Sequence, residues 1–405
     1  MSLRKGWCPG ALRPMQTGDG FLVRLRLTGG IVPAAKAQAI AGLALRFGNG
    51  LIDLSQRANL QLRGVREVDL PALTRALDDL GLIDASAAGE AVRNVIASPL
   101  AGLDASAALD IRPVVAALEA RLSGDAALHA LPGKFGFVVE DGGALALDGV
   151  AGDVRFLAVS GSQFAVFLDG CGEEVAACAP DDVPEMAARI ALAFLAAPGA
   201  RRMRECAETV RAILQNSRMN PLPRGDGFMR VATQFLPGFH TIGHLPFLAL
   251  AAPFGRLHAH QLAAFATEIR LTPWRVIFAP GLEAAALPAF AAAGWIATSD
   301  DPRLRAAACP GAPACASATT PVQDHAAALA PLMSRGNVSL HVSGCAKGCA
   351  HHAPARFTLV ARAGLYDLVE NATATDAPAL TGLAFADLPE ILRARMNAVP
   401  SGAPA

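Results

Sequence analysis

Cys309-Pro-Gly-Ala-Pro-Ala-Cys315 and Cys345-Ala-Lys-Gly-Cys349 set four thiols in two clips, with five residues inside the first, three inside the second and 29 between them. Four thiolates so arranged can carry a cubane iron-sulfur cluster. Small residues crowd both clips (Pro310, Gly311 and Ala312; Gly344, Ala346 and Gly348), as is needed where backbone approaches a cluster and its amides reach the sulfides. A structural zinc site also takes four cysteines, but each zinc-binding pair usually encloses about two to four residues. The gap of five favours iron-sulfur, with zinc as the alternative.

Outward from the clips, the chain can bury large cores without disulfide staples, since it has 405 residues and 53% apolar content. Its other cysteines, Cys8, Cys171, Cys178 and Cys206, are scattered and read as small buried hydrophobes. The opening residues Met1 to Gly10 lack the apolar run of a secretory signal, and Pro, Gly or charge interrupts every apolar stretch short of the roughly 18 residues a membrane span needs. A reducing cytoplasm is therefore the expected compartment, with no membrane partner. The 35 Lys and Arg balance 35 Asp and Glu, and no basic tract stands out, so no nucleic-acid partner is expected. Length predicts about two or three domains.

Alternation over Phe21 to Leu27 predicts a half-buried strand ending at Thr28-Gly29-Gly30. A helix is expected over Ala34 to Phe47, strands over Leu51 to Leu54 and Leu60 to Val65, and a second helix over Val68 to Leu80, stopped by Gly81. The middle of the chain predicts strands at Phe135 to Val139, Val154 to Val159 and Phe164 to Leu168. It also predicts helices at Val183 to Ala196 and Arg201 to Gln215, then a linker over Asn216 to Gly227. Beyond it the opening pattern recurs: a strand at Phe247 to Ala251, a helix at Ala259 to Ala266, and Ile269-Arg270-Leu271-Thr272 echoing Ile52-Asp53-Leu54-Ser55. An arginine follows each tetrapeptide within three residues, Arg57 and Arg275. A duplicated α/β unit facing its twin builds a cleft on a pseudo-two-fold axis, and arginines from both halves suit it to a large polyanion.

The cysteine clips, with Ser55-Gln56-Arg57-Ala58-Asn59-Leu60-Gln61, Arg93-Asn94-Val95, Leu131-Pro132-Gly133-Lys134-Phe135 and Leu271-Thr272-Pro273-Trp274-Arg275, resemble the sirohaem-dependent sulfite and nitrite reductases. These five matches fall in the family's chain order across about residues 20 to 360. The resemblance implies an α/β (α+β) fold with duplicated ferredoxin-like half-domains forming one intertwined domain, plus two nitrite/sulfite reductase-like α/β domains. The expected division is a first half-domain at 1–70, a first tetrapyrrole-binding α/β domain at 71–225, a second half-domain at 226–290 and a cluster-bearing α/β domain at 291–395. The tail at 396–405 is poor in core-forming side chains and is expected to be disordered. The resemblance also implies that Cys309, Cys315, Cys345 and Cys349 hold a 4Fe-4S cluster, with Cys349 facing the macrocycle.

One departure selects the branch. The reductases typically follow this Leu-Pro with Arg-Lys-Phe-Lys, and two lysines and two arginines bind the small anion they reduce. Here Gly133-Lys134-Phe135-Gly136 lacks one arginine and one lysine, which weakens a site for sulfite or nitrite, and its glycines make room. With the short chain and Lys5-Gly6-Trp7-Cys8-Pro9-Gly10, this resembles the precorrin-3B synthases of the aerobic cobalamin pathway. That branch implies an oxygen-dependent hydroxylation of precorrin-3A at a meso carbon, with closure of a ring-A acetate into a lactone. Dioxygen is then a co-substrate. Electrons would come ultimately from NADH or NADPH through a donor protein such as a ferredoxin or reductase, since no Gly-x-Gly-x-x-Gly fingerprint follows a predicted strand. A mononuclear non-haem iron is a further candidate cofactor, with His351, His352, His240 and His244 as its possible ligands.

A macrocycle fringed with acetates and propionates calls for planar guanidinium forks. Arg57, Arg63, Arg93, Lys134 and Arg275 lie in or beside the matched motifs and are the expected carboxylate partners, with Asn59 and Gln61 as neutral donors. Alternate residues on a strand share a face, which groups Arg57, Asn59, Gln61 and Arg63. The competing reading is that several of these cations close surface salt bridges, worth little each. Lys347 could tune the cluster, Trp274 reads as core, and no catalytic acid or base is assigned. A sirohaem reductase and a non-catalytic iron-sulfur or zinc protein that binds a tetrapyrrole are the alternative functions.

Overall fold

The computed structural model describes residues 8–197, 199–216, 236–333 and 338–397. Strands Met15–Thr17 (β1) and Gly20–Leu25 (β2) open the chain as a hairpin. The expected strand stops at Leu25 because the backbone turns at Thr28–Gly30, where Gly29 and Gly30 take φ of 60° and 70°. A Cβ on Gly30 would sit 2.9 Å from the Leu271 carbonyl oxygen, so this turn can lie against the second half of the chain only without a side chain. Ile31–Val32 (β3), Ala34–Phe47 (α1), Leu51–Leu54 (β4), Leu60–Val65 (β5) and Leu70–Asp79 (α2) follow. The bounds of α1, β4 and β5 are those read from the sequence. Helix α2 starts two residues later than expected, after a single 3-10 turn.

The first α/β unit holds Ala87–Val92 (α3), Val95–Ala97 (β6), Arg112–Gly124 (α4), Phe137–Glu140 (β7), Val154–Ser160 (β8), Gln163–Leu168 (β9), Ala176–Cys178 (β10), Val183–Ala196 (α5) and Ala207–Asn216 (α6). The helix expected from Arg201 begins only at Ala207, because the amides before it are tied elsewhere: Arg201 donates to Glu205 and Met203 to the buried Asp153. Asn216 closes α6, and the rest of the predicted linker lies outside the described residues.

The second half contributes Gly238–Ile242 (β11), Leu245–Ala251 (β12), Arg256–His258 (β13), Ala259–Ala263 (α7), Ile269–Leu271 (β14), Val276–Pro280 (β15) and Leu287–Ala292 (α8). The last unit comprises Ala306–Ala308 (β16), Val322–Leu329 (α9), Leu340–Ser343 (β17), Ala355–Arg362 (β18), Leu365–Ala372 (β19), Leu380–Leu383 (β20) and Leu388–Asn397 (α10). Met396 and Asn397 are thus helical rather than part of a disordered tail. Residues 398–405 lie outside the described residues.

Four five-stranded sheets result, and they are related in pairs. The first runs β1-β2-β5-β4-β13 and the third β11-β12-β15-β14-β3. Each half lends one strand to the other: β13 pairs antiparallel with β4, and β3 with β14. One apolar core serves both halves, joining Val23, Ile40 and Leu62 to Leu250, Leu262 and Ile277. Leu73, Leu77 and Leu82, and later Trp295 and Ala297, also belong to it, beyond residues 70 and 290 where the sequence alone would end the halves.

The other two sheets also match. Both are mixed, with two parallel pairings followed by two antiparallel ones, in the orders β6-β7-β8-β9-β10 and β16-β17-β18-β19-β20. Ser98 follows β6 as Cys309 follows β16, and a proline comes next in each case. The Ser98 hydroxyl accepts from the Asp141 amide (3.0 Å) just as Cys309 Sγ accepts from the Gly344 amide (3.2 Å). Asp104 falls where Cys315 does. The chain therefore contains the clip scaffold twice, once with thiols and once with oxygen side chains that close hydrogen bonds instead.

Candidate active site

A cavity of about 330 Å³ opens between the first half-domain and the last α/β unit. Its wall combines Arg57, Gln61, Lys134 and Arg275 with Cys309 and Cys349, so the cationic motifs and the thiol clips meet in one place. Cys8, Arg24 and Gln323 also line it.

The two arginine-bearing turns are built alike. After β4, the Ser55 hydroxyl accepts from the Asn59 amide (3.2 Å), and Ala58 takes a φ of 52°. After β14, the Thr272 hydroxyl accepts from the Val276 amide (3.3 Å), and Arg275 takes a φ of 61°. The equivalent of Arg57 is therefore Trp274, and that of Arg275 is Ala58: the arginines are not symmetry mates, as the tetrapeptide echo suggests. Trp274 packs beside Ile96, Val138 and Leu147, in keeping with a core role. A Cβ on Gly255 would lie 2.5 Å from Arg275 Cδ, so this glycine leaves the path along which Arg275 reaches the cavity.

The arginines divide by what answers their charge. Arg57 Nη2 donates to the Lys134 carbonyl oxygen (2.8 Å), and its Nη1 is buried without a partner among the described residues. Arg275 Nε is likewise buried and unpartnered. Arg24 donates to the neutral Gln61 Oε1 (3.1 and 2.8 Å), its directly paired residue across β2 and β5. Burial lowers the pKa of all three, that of Arg24 to about 10; Cys8 opposes the shift at Arg24 and Arg57, and Asp53 at Arg275. These three cations lack a carboxylate at ion-pair distance among the described residues, and each lines the cavity.

Arg63 and Arg93 are placed differently. Arg63 is buried with its fork on Asp19 (2.7 Å), a second contact to Asp53 (3.4 Å) and a hydrogen bond to the Ala314 carbonyl (2.8 Å). Arg93 pairs with Asp84 (2.8 Å) and Glu119 (2.9 Å). Neither lines the cavity, since buried carboxylates already saturate them. Asn59 is buried in its turn and is also absent from the wall. The strand alternation fails before Leu60 because β5 begins only there. Sequence reasoning missed Arg24 and Cys8. The signal for Arg24 was the alternation of β2, which puts Val23 in the core and Arg24 on the opposite face.

Lys134 sits on a loop held from both ends. Asn94 Nδ2 donates to the carbonyls of Ala91, Gly133 and Phe135, and Asp153 accepts from the Gly136 amide (3.0 Å). Neither Gly133 nor Gly136 is forced by backbone strain, and an added Cβ would make only ordinary contacts, at 3.6 Å to the Cys8 nitrogen and 3.5 Å to the Asn94 oxygen. The room expected from these glycines is present.

The clip residues fit a cluster. Cys309 is buried, Cys315 and Cys345 half-buried, and Cys349 exposed toward the cavity. Burial raises the Cys309 thiol pKa while the Gly344 and Gly311 amides lower it, and thiols of the other clip act on Cys309 and Cys349 alike. Gly344 is closely fitted: a Cβ would meet Ala318 Cβ at 2.6 Å, so a side chain here forces its neighbours to shift. Among the described residues no three His, Cys, Asp or Glu side chains converge on a single-ion geometry, and a cubane, which takes each thiolate at a different iron, does not require them to. His240 bonds the Leu236 carbonyl (2.6 Å), His244 is exposed, and His351 lies beside the buried His341, so the expected mononuclear iron gains no ligand set from these histidines.

Residues 13–80 match the nitrite/sulfite reductase ferredoxin-like half-domain. The chain resembles the solved Mycobacterium tuberculosis NirA protein in fold, with a TM-score of 0.71 over 95% of this chain and 82% of that one at 20% identity. A ferredoxin–nitrite reductase from Leptolyngbya laminosa is 36% identical over 110 residues, 27% of this chain and 21% of that protein. A precorrin-3B synthase from Sinorhizobium sp is 33% identical over 98% of this chain and 91% of its own length. Similarity over nearly the whole of both chains places this protein in the precorrin-3B synthase family, on the nitrite/sulfite reductase scaffold.

Proposed function

We propose that this chain hydroxylates precorrin-3A with dioxygen at a meso carbon and closes a ring-A acetate into the lactone of precorrin-3B. The observation that carries the reading is the set of three half-buried arginines, Arg24, Arg57 and Arg275, which have no carboxylate at ion-pair distance among the described residues and line the cavity that reaches Cys309 and Cys349. A buried cation lacking a counter-charge is costly, and an anionic ligand that supplies the missing charge is held strongly for the same reason. A macrocycle bearing several carboxylates can supply several at once.

In this reading Cys309, Cys315, Cys345 and Cys349 hold a 4Fe-4S cluster, which supplies single electrons for oxygen reduction. Arg57 and Arg275 bind carboxylates and orient the ring, Gln61 fixes the Arg24 fork, and the Asn94-held loop presents Lys134 at the rim. Electrons arrive from NADH or NADPH through a separate donor protein. The test is oxygen uptake by anaerobically purified protein, supplied with reductant and precorrin-3A, alongside its visible and electron-paramagnetic spectra. The expected result is substrate-dependent uptake with a broad brown absorbance. A sirohaem band with sulfite or nitrite turnover and no precorrin-dependent uptake would overturn the reading.

A further inference from the structure

A second cavity, about 440 Å³, adjoins the first. Cys8 lines both, and the consecutive residues Gly133 and Lys134 line one each, Gly133 this side chamber and Lys134 the main cavity. Arg26 lines the chamber and is 5% exposed. Its Nη1 donates to Glu90 Oε1 (3.0 Å), while Nε and Nη2 are buried and have no partner among the described residues. Those two donors form one edge of the guanidinium, the edge that meets a carboxylate with two parallel bonds.

Glu90 is not free to turn toward that edge. Its carboxylate also accepts from the amides of Ala11 (2.6 Å) and Leu12 (3.0 Å), and Gly10 lies so close that a Cβ there would sit 2.3 Å from Oε2. The segment from Gly10 to Leu12 thus fixes Glu90 on one edge of Arg26, and the donors of the other edge are buried with no counter-charge from the described residues. Besides the Cys8 thiol, the remaining charged or titratable residues at the chamber, Arg13 and His129, are basic. At Gly133 the wall has no side chain.

We propose that the side chamber takes one carboxylate arm of the tetrapyrrole, bound by Arg26 Nε and Nη2, with Gly133 as the passage from the main cavity. This rests on the proposed function, which puts a polycarboxylated macrocycle in the main cavity. The shared chemistry is a carboxylate-like oxyanion, whose other source is a free small anion.

The test uses the full-length protein and uroporphyrin III, an octacarboxylate, titrated by absorbance and fluorescence, with inorganic phosphate as the free-anion probe. Arg26→Gln removes the charge but can still bond Glu90, and Gly133→Val closes the passage without altering charge. Both variants should weaken porphyrin binding by about 10-fold or more, and phosphate should compete with porphyrin in the wild type. If Arg26→Gln does not fold, Gly133→Val decides alone. Porphyrin binding by the wild type that neither variant changes would overturn the chamber and leave the proposed function standing. Phosphate bound through Arg26 without displacing porphyrin would also overturn it, making the chamber a separate anion site. Failure of the wild type to bind porphyrin at all would sink both readings, and is distinguishable from the other outcomes.

Discussion

Arg57 and Arg63 stand six residues apart on one hairpin, yet different groups answer their charges. Arg63 meets two buried aspartates, whereas Arg57 meets one carbonyl and leaves a donor unpaired. Arg57→Ala should therefore weaken tetrapyrrole binding by about 30-fold, because a substrate carboxylate left desolvated costs at least about 2 kcal/mol, with little change in the denaturation midpoint. Arg63→Ala and Arg93→Ala should do the reverse. Each strands buried carboxylates and should cost about 3 to 5 kcal/mol of stability, read from denaturant unfolding, while folded protein keeps its affinity. An affinity loss for Arg93→Ala equal to that for Arg57→Ala would place Arg93 in the cavity. The sequence made all of these arginines visible but could not sort them. Asp19, Asp84 and Glu119 are separated from their arginines by 9 to 44 residues, and only the fold brings them together.

Among elements, the two clips were legible because thiol spacing is a local property, and so were α1, β4, β5 and α5, whose bounds follow from apolar periodicity. Strands β3 and β13, two and three residues long, carry too few positions for any period, and they are the pair that interlocks the halves. The duplicated clip scaffold was equally hidden, because Ser98 and Asp104 keep the backbone geometry of Cys309 and Cys315 without their chemistry. Two outcomes follow at this scale. Cys345→Ser should abolish the brown chromophore and Gly344→Ala should make it labile, since the new methyl forces Ala318 away and breaks the amide bond to Cys309. Cys171→Ser, far from the clips, should leave the visible spectrum unchanged. On β17, burial lowers the pKa of His341 to about 4, with His351 and His352 adding to the shift, and both ring nitrogens are unpartnered. Its folded pKa lies below the unfolded value of about 6.5, so the unfolded chain takes up the proton first and stability is lost as pH falls from about 6.5 toward 4. Replacing His341 with leucine should flatten that slope in acid unfolding, and an unaltered slope would assign the acid sensitivity to other groups.

For the whole molecule, function depends on surfaces that no single unit owns. The cavity takes Arg24 and Arg57 from the first half, Arg275 from the second, Lys134 from the first α/β unit and Cys309 and Cys349 from the last. Because β13 completes the first sheet and β3 the third, the two halves share one core and should unfold together. Calorimetry should show no separate transition for either half, and an independently melting half would contradict the shared core. The same interlocking explains why the sequence pointed to the right motifs without revealing the pocket: its walls come from residues about 340 positions apart. The central claim is that a polycarboxylated tetrapyrrole lies against Cys349 and is held by arginines that have no carboxylate at ion-pair distance among the described residues. It is tested most directly by titrating precorrin-3A anaerobically into the reduced holoprotein while recording the cluster's electron-paramagnetic signal. The account predicts a saturable change in the cluster g values, at about 30-fold higher substrate concentration for Arg57→Ala. Saturable binding that leaves the cluster signal untouched, with equal affinity in the variant, would place the substrate elsewhere and contradict it.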